Sequence, residues 1–177
     1  MGENKYIFLD IDGVLNTGRN DYLDPEKYGH HFDNEAVMNL RKITDATNAD
    51  IVISSSWKHM GEKRMREIWD DWHLPGSVVG CTPGGWGDNK TRGEEIQAWL
   101  EENSKETCPN VIIDDMEAET AIEGQFLHWI QVNPHCGISA EDAELAIRIL
   151  GTANDDLLRS IHLHMYMERN DFPDYGK

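Results

Sequence analysis

Hydrophobic positions in this chain fall into short continuous runs separated by longer stretches of helical periodicity. Tyr6-Ile7-Phe8-Leu9 is such a run, and four consecutive apolar residues fit a strand buried on both faces. Asp33 or Asn34 can cap a helix running to about residue 48, with Val37, Leu40 and Ile43 on one face. Ile51-Val52-Ile53 predicts a second strand. The next helix, about 61–72, carries Met65, Ile68, Trp69 and Trp72 at helical spacing, and Leu74-Pro75-Gly76 breaks it. A third strand is expected at 77–81. After a loop rich in glycine, a helix over about 92–103 buries Ile96, Trp99 and Leu100. Val111-Ile112-Ile113 predicts a fourth strand and 126–132 a fifth. Ser139 with Asp142 has the pattern of a capping box ahead of a helix carrying Ala143, Ala146, Ile147 and Leu150. Asn154 can cap a last helix, about 155–168, and a polar tail begins at Asn170.

Strands that alternate with helices predict an α/β fold: a doubly wound, mostly parallel sheet with helices on both faces. Right-handed crossovers then place every strand's C-terminal end on one edge of the sheet. The residues that follow the apolar runs are the polar ones: Asp10 and Asp12, then Ser54-Ser55-Ser56, then Asp114-Asp115. Three strands thus deliver carboxylates and hydroxyls to one place, the edge where ligands bind in open α/β sheets.

Asp10 and Asp12 point the same way if the strand continues, because side chains alternate along it, and Gly13 then allows a sharp turn. Two carboxylates held together repel unless a cation or a shared proton relieves them. Mg²⁺, a hard cation that prefers oxygen ligands, is the simplest relief. A calcium loop fits poorly, since Asp21 stands where that loop needs Glu and a strand precedes it instead of a helix.

Length and charge narrow the function classes. The 177 residues suit one domain, 1–169, with a small flap at about 17–34 and a polar tail at 170–177. The net charge of -17 disfavours unspecific attraction to nucleic acid or anionic membrane. No apolar stretch approaches the roughly 20 residues of a membrane helix, and the N-terminus lacks a signal peptide's apolar centre, so a cytoplasmic protein is expected. Cys81, Cys108 and Cys136 form neither a disulfide framework nor a zinc pattern and are expected to be buried thiols. His162 and His164 are expected at the surface. Nothing in the chain sets an oligomeric state.

With these motifs in view, the chain resembles the haloacid dehalogenase (HAD) superfamily of phosphotransferases. The resemblance rests on Asp10-Ile11-Asp12-Gly13-Val14, on Ser54-Ser55 closing a strand, on Lys90 or Arg92 opening a helix, and on Asp114-Asp115 after a strand, in that order. Ser55-Ser56-Trp57-Lys58, the stretch from Arg92 to Leu100, and Gly137-Ile138-Ser139 extend it to the small HAD domains of RNA-repair proteins.

The resemblance implies a Mg²⁺-dependent phosphatase that works through an aspartyl-phosphate. Asp10 would be the nucleophile and Asp12 the general acid and base. Metal ligands would be Asp10, the backbone carbonyl of Asp12, Asp115 and, next in preference, Asp114. Ser55, with Ser54 as the alternative, would bind a phosphoryl oxygen, and either Lys90 or Arg92 would supply the positive charge. A short flap leaves the site open to large substrates, so a nucleic-acid 3′ end, a nucleotide or another small phosphomonoester are the candidates. Trp57, either packed in the fold or stacking on a base, and Lys58 or Arg64, reaching a backbone phosphate, would frame the entrance together with the loop around Trp86. Two other readings remain: a non-catalytic HAD-like binding or regulatory module, and a phosphotransferase to an acceptor other than water.

Overall fold

The computed structural model describes residues 4–18, 31–85, 89–117, 121–122, 124–152 and 154–169, the last five without side chains. Five parallel strands, β1 (Tyr6–Leu9), β2 (Asp50–Ile53), β3 (Val78–Cys81), β4 (Asn110–Asp114) and β5 (Trp129–Gln131), form one sheet in the order β3-β2-β1-β4-β5. β1 is central, with Leu9 opposite Ile53 on one side and Ile113 on the other. The register therefore ends the three strands within one residue of the same level.

Alternation along these strands builds two cores. Ile7, Leu9, Ile51, Ile53, Val111 and Ile113 face the side covered by α1 (Asn34–Thr47), α2 (Glu62–Asp71) and α4 (Ala140–Leu150). Tyr6, Phe8, Val52 and Ile112 face the other side, under Ile96, Trp99 and Leu100 of α3 (Arg92–Glu102). Trp99 stands edge-on to both Tyr6 and Phe8, with ring centroids 5.2 and 5.5 Å apart. Burial on both faces explains why the strands read as unbroken apolar runs. α5 (Asp155–Arg169) follows α4.

Caps set the helix starts. Asp33 accepts from the backbone N–H groups of Glu35 and Ala36. The expected box at Ser139 and Asp142 is formed, and a second, at Thr91 and Glu94, opens α3. Asn154 accepts from the N–H groups of Asp156 and Leu157.

Residues 56–60 form a 3-10 turn ahead of α2, which begins after Gly61, at φ +86°, close to the expected bounds. Other expectations are corrected. The fifth strand is shorter than expected, because Phe126–His128 is also a 3-10 turn, in which Phe126 is exposed and His128 Nδ1 lies 2.8 Å from the Asn110 carbonyl. The three cysteines are half-buried, not buried. His162 is half-buried, its Nε2 2.8 Å from the Leu127 carbonyl, while His164 is exposed. Most of the expected flap, Trp86 and the polar tail lie outside the described residues. Among the described residues, no helix is long and apolar enough to cross a membrane.

Candidate active site

The C-terminal ends of β1, β2 and β4 meet at one edge of the sheet. Asp10 follows β1 directly and is almost fully buried, with its N–H bonded to the Ile113 carbonyl at 3.0 Å. Beyond it the chain turns tightly: the N–H groups of Val14, Leu15 and Asn16 all point to the Ile11 carbonyl, and Gly13 N–H bonds to the Asn16 carbonyl at 2.7 Å. Gly13 sits at φ +76°, and a Cβ there would lie 2.5 Å from Asp115 Oδ2. Glycine is required twice over, by backbone conformation and by the approach of the acid from β4.

Asp10, Asp114 and Asp115 each offer a carboxylate oxygen within 4.8 Å of the others. Asp114 closes β4 and is fully buried. Its Oδ1 accepts from the Met116 N–H at 2.9 Å, and Oδ2 faces Arg92 Nε at 3.2 Å without the alignment of a hydrogen bond. Burial, then the charge of Asp10, pushes the Asp114 carboxyl up to about 7, against the pull of Arg92. Burial also raises Asp10, opposed by the Arg92 charge and a hydrogen bond from Ser55, and raises Asp115. Three acids that resist ionisation together, built from hard oxygen donors, form a set that suits a divalent cation such as Mg²⁺. The Asp12 side chain is not one of the three; it is exposed beside them and faces a cavity of about 420 Å³ that Asp115 and His135 also line.

The alternative serines and the alternative cations are placed differently. Ser54 and Ser55 are both buried, but it is Ser55 whose side chain bears on the Asp10 charge, opposing the rise in its ionisation, while Ser54 Oγ has no hydrogen-bond partner among the described residues. Arg92, the first residue of α3, reaches the acids: its guanidinium lies 3.7 Å from Asp10 Oδ1 as well as against Asp114. Lys90 is exposed and lines a cavity of about 320 Å³ beside Arg92, together with Ser56, His59 and Met116.

Lys58 departs from expectation. Its ammonium is held by Glu95 at 2.6 Å, Thr82 Oγ1 at 3.1 Å and the Pro83 carbonyl at 3.1 Å, so its three donors have internal partners instead of reaching for a phosphate. Arg64 is paired with Glu67 on α2. Trp57 is packed in the core at 7% exposure, and its indole Nε1–H also donates to Asp12 Oδ2 at 2.9 Å. Asn16 Nδ2 donates to the other oxygen, Oδ1, at 2.9 Å. The sequence reading missed both contacts to Asp12. Asn16, four residues after the acid within one turn, was a detectable signal; Trp57 arrives from the turn after β2 and left none.

Comparisons with known proteins place this site in context. No curated protein matches the chain. Among solved structures, D,D-heptose 1.7-bisphosphate phosphatase from B. bronchiseptica, complexed with magnesium and phosphate, is similar at 14% identity and a TM-score of 0.46, over 75% of this chain and 94% of that one. A Legionella pneumophila protein assigned as a HAD superfamily (subfamily III A) hydrolase is similar at 15% identity and a TM-score of 0.45, over 92% of this chain and 90% of that one. Likenesses this distant carry no weight for the chemistry. The family model described as the HAD domain in Swiss Army Knife RNA repair proteins matches residues 6–143, through all five strands and into α4, and the chain belongs to that family.

Proposed function

We propose that the protein is a Mg²⁺-dependent phosphomonoesterase that works through a phosphorylated Asp10. The observation that carries this reading is the meeting of Asp10, Asp114 and Asp115 within 4.8 Å at the sheet edge, with Ser55 and Arg92 against them. Asp10, Asp114, Asp115 and the Asp12 backbone carbonyl would hold the ion. When bound, it supplies charge neutralisation between the nucleophile and the phosphate dianion.

The chain's own groups account for the remaining steps. An Asp10 carboxylate oxygen attacks phosphorus, and the bond from phosphorus to the leaving oxygen breaks. Asp12, entering protonated, gives its proton to that oxygen and releases the alcohol. Asp12, now a carboxylate, then takes a proton from water as the water oxygen attacks phosphorus. The bond between Asp10 and phosphorus breaks, inorganic phosphate leaves, and both acids return to their starting forms. Ser55 and Arg92 orient and neutralise the phosphoryl oxygens.

For the substrate we favour a nucleic-acid 3′ end or a nucleotide. The roughly 320 Å³ cavity beside Arg92 offers Lys90 and His59 for a phosphate and the half-exposed Met116 for a base. The net charge of -17 suits an end held at a site better than a polymer gripped along its length. The test is phosphate release from p-nitrophenyl phosphate, nucleotides, 3′-phosphorylated oligonucleotides and sugar phosphates, with Mg²⁺ and with EDTA. Metal-dependent turnover is expected, best on the nucleic-acid substrates. No turnover with any metal at any pH would leave a binding module as the function.

A further inference from the structure

Asp12 is exposed, and an exposed carboxyl on a turn is free to rotate unless something holds it. Here both of its oxygens are held. Asn16, inside the same turn, donates to Oδ1, and Trp57, from the turn after β2, donates to Oδ2, each at 2.9 Å. Two donors from different parts of the chain define both the rotation and the plane of the carboxyl group. The Trp57 anchor is rigid, since the ring is 7% exposed within the larger core cluster and packs against Phe32 at 6.1 Å between centroids. An indole N–H can only donate, so the oxygen it meets must accept. A carboxylate has about four lone-pair positions, which leaves others for the transferable proton.

The placement of Trp57 links the two acids. Ser55 acts on Asp10, opposing the rise in its ionisation, and two residues later Trp57 bonds to Asp12, while the Trp57 backbone N–H donates to Ser55 Oγ at 3.3 Å. One short turn thus references both side chains to the end of β2.

We propose that Trp57, together with Asn16, is a positioning residue that holds the Asp12 carboxyl in line for proton transfer to the leaving group. This rests on the phosphatase reading above. A general acid acts only within hydrogen-bond reach of the oxygen it protonates, so its aim matters most when the leaving group needs that proton.

The test compares wild type, Trp57→Phe and a variant in which Trp57 is replaced by benzothienylalanine, the sulfur isostere that keeps the ring shape and loses the N–H. kcat/KM is read on an alkyl phosphate, whose leaving oxygen needs protonation, and on p-nitrophenyl phosphate, whose leaving group does not. The expected loss is roughly 10–100-fold on the alkyl ester and within about threefold on the nitrophenyl ester, with an unchanged Mg²⁺ dependence. Added to Asp12→Asn, the same change should cost little more. Equal losses on both esters in the isostere variant would overturn the proposal. A second readout does not need turnover: Asp12→Ala should move the Trp57 indole proton resonance upfield, and an unmoved resonance refutes the contact itself. A wild type with no metal-dependent turnover overturns the phosphatase reading, and the positioning role with it, even where the resonance moves.

Discussion

Replacing Asp114 by Asn should change how the stability of the metal-free protein depends on pH. The carboxyl is fully buried, and its ionisation moves from 3.8 in a free chain to about 7 in the fold. Between those values the folded state holds a proton that the unfolded state has released, so stability falls as pH rises through that window. At about 1.4 kcal/mol per pH unit, the penalty is roughly 2 kcal/mol at pH 5.5 and roughly 4 kcal/mol at pH 8. The amide carries no such penalty, and the attraction of Arg92, 3.2 Å away, is already contained in the shifted ionisation. Any difference between acid and amide that does not depend on pH cancels when the two pH values are compared. The difference in stability between Asp114→Asn and wild type should therefore move in the variant's favour by about 2 kcal/mol from pH 5.5 to pH 8. In a chain of this size that is roughly 4–8 °C in Tm. Thermal unfolding of both proteins in EDTA at the two pH values measures it. A difference that stays constant, or moves the other way, would refute the picture of an acid held against its charge by burial and by Asp10.

Other expectations follow from the same geometry. Asp10→Asn should lower kcat by at least about a thousandfold, since the amide cannot carry the phosphoryl group; single-turnover trapping of phosphoprotein checks it. Asp115→Ala should mainly raise the Mg²⁺ concentration needed for half-maximal activity, seen in a metal titration. Arg92→Ala should reduce kcat/KM far more than Lys90→Ala on p-nitrophenyl phosphate, because Arg92 lies against Asp10 and Asp114; the reverse order would reassign the cation. Gly13→Ala should cost roughly 1–3 kcal/mol in urea unfolding, through its φ of +76° and the clash with Asp115.

The strand positions, the helix faces and the edge where the acids gather are legible along the chain because each depends on local pattern. A run such as Ile51-Val52-Ile53 can satisfy its backbone and bury both faces only inside a parallel sheet, and parallel strands align their C-terminal ends. Asp10 and Asp114-Asp115 therefore had to meet. The helix caps at Asp33, Ser139 and Asn154 are local for the same reason. Matters of one residue's direction were not legible. Whether Ser54 or Ser55 turns to Asp10 depends on how the chain leaves β2, and whether Lys90 or Arg92 reaches the acids depends on where Thr91 caps α3. The engagement of Lys58 by Glu95, and of Asp12 by Trp57, joins residues distant along the chain through side-chain tips. Such contacts leave no periodic trace. They arise from packing loops over one sheet edge, where the partners that meet are set by how the loops lie against one another.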